Sequence, residues 1–191
     1  MDKPSTKISG QNPWSNIVLV GLMGAGKTSI GRRLAASLDI AFIDSDEEII
    51  KAAGHSIPDI FKIYGESKFR ELEERIIMKI LCENRKVLAT GGGAYMNPRI
   101  RKAINLRGFC IFLKASHEIL VERTSRKKNR PLLAAGKPTK ILHDLIHERY
   151  PIYSTADLTI ETGRENIGQT LNKIIDALPS ELLPTNRVNP R

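Results

Sequence analysis

The octapeptide Gly21-Leu-Met-Gly-Ala-Gly-Lys27-Thr28 constrains this chain more than any other stretch. It follows the apolar run Ile17-Val-Leu-Val20 and opens a segment in which Ile30, Leu34 and Leu38 recur at helical spacing. The pattern G-x-x-x-x-G-K-[ST] between a strand and a helix is that of a phosphate-binding loop. Its glycines let successive backbone N–H groups turn inward and approach a polyphosphate closely. The helix that follows adds unpaired N–H groups and the positive end of its dipole. Gly24, Ala25, Gly26, Lys27, Thr28 and Ser29 are therefore expected to hold a nucleoside triphosphate. Lys27 brings a mobile positive charge to the β- and γ-phosphates, where it also serves catalysis, and the Thr28 hydroxyl suits Mg²⁺.

A chain of 191 residues has room for one domain with a real core. Its hydrophobic share of 41% and charged share of 27% are ordinary for a globular protein. No apolar run is long enough to cross a bilayer, and residues 1–15 lack the apolar stretch of a secretory signal. Cys82 and Cys110 each sit in an apolar pattern and read as buried thiols in a reducing cytoplasm. The net charge of +9 fits a nucleic-acid surface or a basic pocket for small anions, and composition does not choose between them.

In chain order, residues 1–15 lack periodicity and read as a disordered leader, with Trp14 an isolated aromatic in it. A strand is expected over 16–20, a helix after the loop, and a second strand over 40–43 that ends at Asp44-Ser-Asp46. A short helix over 47–53 is stopped by Gly54. Phe69, Leu72, Ile76 and Ile80 mark a longer helix, and a third strand over 86–90 runs into Gly91-Gly92-Gly93. Asn97-Pro98 starts another helix, with Asn as N-cap and Pro in the first turn. Strands at 108–113 and 157–161 enclose helices at about 116–126 and 138–150, and a last helix covers 165–178. The tail, 179–191, is expected to be flexible. Continuous apolar strands alternating with amphipathic helices give an α/β fold whose parallel sheet is covered on both faces. The expected division is one domain over 16–178 between leader and tail.

Four further constellations carry chemistry. Strand alternation places Asp44 and Asp46, two residues apart, on one side at the end where ligands of open α/β sheets sit. Such a pair suits a Mg²⁺ contact from one carboxylate and a hydroxyl-accepting role for the other; an acidic loop capping the next helix is the plainer reading. Gly91-Gly92-Gly93 offers N–H donors to an anion or hydroxyl, or is a flexible turn. Arg70 alone reads as a solvated ion-pair member. The segment from Arg123 to Pro131 carries five positive charges in Arg123, Arg126, Lys127, Lys128 and Arg130. It contains no aromatic, and aromatic content is only 5%, which argues against a surface for stacking bases. A loop closing over ATP needs such arginines to meet developing phosphoryl charge. His143 and His147 are four apart on one helix but lack a third ligand in the sequence, so they read as surface histidines.

Taken jointly, these motifs resemble those of the shikimate kinases, from about residue 16 to 178. They are Gly21–Thr28, Asp44-Ser-Asp46, Gly65-Glu66 with Phe69-Arg70, Gly91-Gly92-Gly93, Arg130-Pro-Leu-Leu133, and Arg149 before Tyr150-Pro151. The resemblance implies a three-layer P-loop NTPase fold with a five-stranded parallel sheet ordered 2-3-1-4-5, and a mobile lid at about 124–137. It implies transfer of the ATP γ-phosphoryl group to the 3-hydroxyl of shikimate, with Mg²⁺, on the route to aromatic amino acids. Asp44 then resembles the metal-side carboxylate beside Thr28, and Asp46 the group that orients or deprotonates the attacking hydroxyl. Arg70 and Arg149 resemble the pair that grips the substrate carboxylate beside the Gly91-Gly92-Gly93 backbone; a planar bidentate donor suits that task. Arg130 resembles the lid arginine that reaches the transferring group, Arg123 the residue packed on adenine, and Phe61 and Phe69 the apolar side of the substrate pocket. Some family members carry an arginine by adenine where Glu165 stands here.

The expectation is a cytoplasmic monomer with ATP and a small-molecule substrate, and with no nucleic-acid or membrane partner. A gluconate-type kinase is the neighbouring alternative. A P-loop nucleotide-dependent switch is the alternative from another class, but the chain has no guanine-reading N-K-x-D.

Overall fold

The computed structural model describes residues 16–125 and 138–184. The leader with Trp14, the larger part of the expected lid with Arg126, Lys127, Lys128 and Arg130–Leu133, and the tail from 185 lie outside the described residues. Five strands form one parallel sheet in the order β2-β3-β1-β4-β5: β1 Asn16–Val20, β2 Ala41–Asp44, β3 Lys86–Ala89, β4 Gly108–Ala115 and β5 Leu158–Thr162. The central strand β1 pairs Val18 with Leu88 on one side and with Cys110 on the other, and every residue in it is buried. Its lack of alternation follows from layers on both faces.

Among the described residues seven helices supply those layers: α1 Lys27–Leu38, α2 Ser45–Ala53, α3 Ile57–Cys82, α4 Pro98–Arg107, α5 His117–Ser125, α6 Pro138–Tyr153 and α7 Ile167–Ala177. Ile30, Leu34 and Leu38 of α1 are buried as one stripe, and Asn97 caps α4 by accepting from the Arg99 N–H at 2.8 Å. Asn166 and Gln169 close a capping box at the start of α7. Most of the core is one cluster around the sheet; a smaller one, of Ile49, Ile60 and Phe69, joins α2 to α3.

Four expectations need correction. Asp46 is not on a strand: β2 ends at Asp44, which caps α2 by accepting from the Asp46 N–H at 3.0 Å, so strand alternation does not relate the two carboxylates. Helix α3 begins at Ile57, capped by Ser56, well before the apolar period of Phe69, Leu72, Ile76 and Ile80 that marks it in the sequence, and breaks its helical geometry at Gly65 (φ 80°, ψ 169°) between the two stretches. Cys82 is exposed, whereas Cys110 is buried as expected. The tail does not loosen at residue 179: Ser180–Leu182 form a 3₁₀ turn, Leu182 is fully buried in the main core, and Arg85 donates to its carbonyl.

Candidate active site

The phosphate loop crosses the end of the sheet where Gly21 (φ 138°) passes β4. A Cβ there would stand 2.7 Å from the Leu113 carbonyl oxygen, so only glycine fits. Gly26, in left-handed geometry, caps α1 without any side-chain hydrogen bond, which leaves the first-turn N–H groups for an anion. Lys27 Nζ donates to the carbonyls of Gly21 (2.8 Å) and Leu22 (3.0 Å), so its ammonium is curled over the loop that it would share with phosphates. Thr28 Oγ1 donates to Asp44 Oδ2 at 2.8 Å, joining the start of α1 to the end of β2. A hydroxyl and a carboxylate in contact are a hard-oxygen donor set that fits Mg²⁺. Among the described residues no group of three His, Cys, Asp or Glu could hold a metal. Ser29 is exposed on α1.

The second half of the site is built around three glycines. Gly91 follows β3, and its N–H donates to Ser45 Oγ at 2.9 Å. A Cβ on Gly91 would stand 2.6 Å from Asp46 Oδ1 and 2.9 Å from Glu73 Oε1; one on Gly93 would stand 2.7 Å from Arg70 Nη1. The carbonyl of Gly92 accepts from Arg149 Nη1 at 3.1 Å. Asp46 from α2, Arg70 from α3 and Arg149 from α6 thus meet around one short stretch of backbone that has no side chains of its own.

Glu73 was not singled out from the sequence. Its carboxylate is 1% exposed and accepts from Arg70 Nη1 at 2.8 Å, while the more exposed Glu66 holds the same guanidinium at 3.1 Å. Burial pushes the Glu73 carboxyl above the usual carboxylate range, and the neighbouring Asp46 adds to that; the guanidinia of Arg70 and Arg149 work against it. An arginine three residues before a glutamate on an otherwise amphipathic helix was the available signal.

A raised folded-state pKa means that Glu73 contributes its stability while protonated and loses it as pH rises through that pKa. Glu73→Gln, which mimics the protonated form, should therefore become more stable relative to the parent as pH rises from about the ordinary value of 4.5 upward. Thermal unfolding of both proteins across that range checks it; a constant difference in Tm removes Glu73 as a titrating group.

The remaining expected residues lie as follows. Arg123 Nη1 donates to the carbonyls of Gly24 (3.3 Å) and Ala25 (3.5 Å), and its other amino group donates to Gly163. It ties the phosphate loop to the segment after β5. Glu165 accepts from Lys173 at 3.1 Å and Thr170 at 3.3 Å, on α7 rather than facing outward alone. Phe69 is 4% exposed and belongs to the small core cluster; Phe61 packs on it at 4.6 Å, and the Arg70 guanidinium lies 5.1 Å over the Phe69 ring. Phe69 thus supports Arg70 from below more than it lines an open pocket. His143 and His147 are exposed with their Nε2 atoms 3.2 Å apart. Arg130 lies outside the described residues.

The family model described as "Shikimate kinase" matches residues 23–179. A shikimate kinase of Mesorhizobium japonicum is 45% identical over 163 residues, covering 85% of this chain and 80% of its own length. One of Bartonella quintana is 50% identical over 150 residues, or 78% and 71%. Among solved structures, a shikimate kinase from Acinetobacter baumannii in complex with shikimate superposes with a TM-score of 0.82 at 41% identity, covering 85% of this chain and 92% of that one. A gluconokinase from Sinorhizobium meliloti reaches 0.51 at 17% identity and shares the fold.

Proposed function

We propose that this chain, which belongs to the shikimate kinase family, transfers the γ-phosphoryl group of ATP to the 3-hydroxyl of shikimate, giving shikimate 3-phosphate and ADP. The observation that carries the reading is the meeting of Asp46, Arg70 and Arg149 around Gly91-Gly92-Gly93, next to a phosphate loop with its lysine in place. One carboxylate and two guanidinia at a glycine-only backbone suit an acceptor that has both a hydroxyl and a carboxylate.

In this reading the loop N–H groups of 24–29 and Lys27 hold the phosphates of ATP, and Arg123 stands on the adenine side. Arg70 and Arg149 take the carboxylate of shikimate, with the Gly91-Gly92-Gly93 backbone alongside and the Phe61–Phe69 pair beneath. Asp46 orients the attacking hydroxyl and accepts its proton as the O–P bond forms. Thr28 and Asp44 would hold Mg²⁺, whose charge would offset that of the phosphates. Arg130 reaches the transferring group from the lid. The protein acts as a cytoplasmic monomer; among the described residues no helix is long and apolar enough to cross a membrane.

ADP release measured with shikimate, with gluconate and with no acceptor tests the assignment. Turnover should require shikimate. Equal rates without an acceptor overturn the kinase reading, and a preference for gluconate overturns the substrate.

Arg70→Ala should remove a charge-assisted contact of about 1.5–3 kcal/mol, or about 10- to 150-fold in shikimate affinity. ATP affinity should hold, because Arg70 hydrogen-bonds Glu73 and Glu66 on its own helix and stands on the acceptor side of the site. Calorimetric titration decides it, with Arg70→Lys as a partial rescue that keeps a partner for buried Glu73. An unchanged dissociation constant in a folded Arg70→Ala protein removes Arg70 from the site.

A further inference from the structure

The carbonyls of Gly91, Gly92 and Gly93 are all engaged. Gly91 accepts from the Ala94 N–H at 3.2 Å and Gly93 from the Met96 N–H at 3.0 Å, both through the 3₁₀ turn Ala94–Met96. The Gly92 carbonyl alone is held from outside the loop, by two donors on α6: Arg149 Nη1 at 3.1 Å and the Tyr153 hydroxyl. Holding the carbonyls on one side turns the N–H groups of a short loop toward the other. For the Gly92 and Gly93 N–H groups no acceptor appears among the described residues. Tyr153 is itself fixed. It is 1% exposed, with ring contacts to Phe112 at 5.2 Å, Tyr95 at 6.2 Å and Tyr150 at 6.4 Å. It lies one helical turn after Arg149, so both donors project from the same face of α6.

We propose that Tyr153 is a positioning residue for the acceptor site. Its hydroxyl shares the Gly92 carbonyl with Arg149 and thereby fixes the Arg149 guanidinium in the geometry that receives a carboxylate. The proposal rests on the assignment of shikimate as acceptor. An arginine with five donors would otherwise be free to swing onto that carbonyl with two of them, away from a ligand. A rigid competing donor from a buried aromatic keeps Arg149 to one bond there and leaves the rest of the fork for the substrate. The burial that makes the tyrosine rigid also pushes its hydroxyl up to about 12, so it remains a donor through the working range of the enzyme.

Tyr153→Phe keeps the ring and removes only the hydroxyl. With the full chain, steady-state kinetics should show the KM for shikimate rising about 3- to 10-fold, the range of one lost hydrogen bond, with the KM for ATP unchanged. The effect should disappear in an Arg149→Ala background, because the hydroxyl acts through that side chain. It should also disappear with an acceptor analogue in which the carboxylate is replaced by a hydroxymethyl group. A merely structural role predicts equal losses for both substrates, additivity with Arg149→Ala and the same loss with the analogue; any of these results overturns the proposal, as does an unchanged KM for shikimate. Thermal unfolding of each variant, together with isothermal titration of shikimate at a temperature well below every Tm, keeps the comparison valid if Tyr153→Phe is less stable. Failure of the parent protein to bind shikimate sinks the substrate assignment instead, and the parent titration is run first.

Discussion

Asp46→Asn is expected to lower kcat by about 10²–10⁴-fold, the contribution of a positioned general base, while changing the Mg²⁺ requirement little. Asp44→Asn is expected to do the reverse, raising the Mg²⁺ concentration needed for half-maximal rate. The two carboxylates are neighbours in sequence but face different chemistry. Asp44 spends one oxygen on the Thr28 hydroxyl and the other on the Asp46 N–H, which ties it to the phosphate loop and the start of α2. Asp46 sits one residue into α2, with Oδ1 close over Gly91, which Glu73 Oε1 also approaches. It stands on the acceptor side, where the dipole of α2 also favours a negative charge. Amide replacement keeps size and removes the basic lone pair, so a loss confined to kcat isolates proton acceptance from packing. Rate measurements on both variants across a Mg²⁺ series separate the roles. If the two respond identically, the division of labour is wrong.

What could be read in the sequence was what is local. The phosphate loop carries its own geometry in glycine, lysine and threonine spacing, and the Asn97-Pro98 start of α4 carries its own cap, so both stand where the residues placed them. The strand order is a tertiary fact and came only with the resemblance to a known family. The pairing of Asp44 with Thr28 could not come from strand alternation, because the cap it makes for α2 ends the strand at that residue. Glu73 was invisible for a related reason. On the helix it is one of several acidic residues after Arg70, and only the packing of α3 under the glycine loop makes it 1% exposed. Tyr153 reaches Gly92 across 61 residues of chain, a distance no periodicity encodes. Gly65 hid the first half of α3 by breaking the phase of its apolar stripe, although Ser56 and Pro58 gave a start signal of the same kind as Asn97-Pro98.

Among the five positive charges between Arg123 and Pro131, one is expected to dominate the chemistry. Arg130→Ala should lower kcat by about 10³–10⁵-fold, the contribution of an arginine that meets charge developing on a transferring phosphoryl group, and should raise the KM for ATP far less. Arg123 is already committed to carbonyls of the phosphate loop and of Gly163, so its charge is not available to move with a closing segment. Arg126, Lys127 and Lys128 precede the loop's proline, whereas Arg130 is directly followed by Pro131, whose ring fixes the backbone beside Leu132 and Leu133. A fixed backbone with two apolar anchors would let the segment dock in one orientation and aim one guanidinium. Stabilisation that exists only during transfer appears in kcat, while attraction that acts at a distance appears in ATP capture. Lys127→Ala with Lys128→Ala should therefore weaken capture of ATP modestly at low salt and little at high salt, where screening acts over roughly 8 Å. Steady-state kinetics of Arg130→Ala and of the double variant across a salt series distinguish the two modes. If the double variant loses as much kcat as Arg130→Ala, the segment acts as a diffuse charge and no single arginine in it is catalytic.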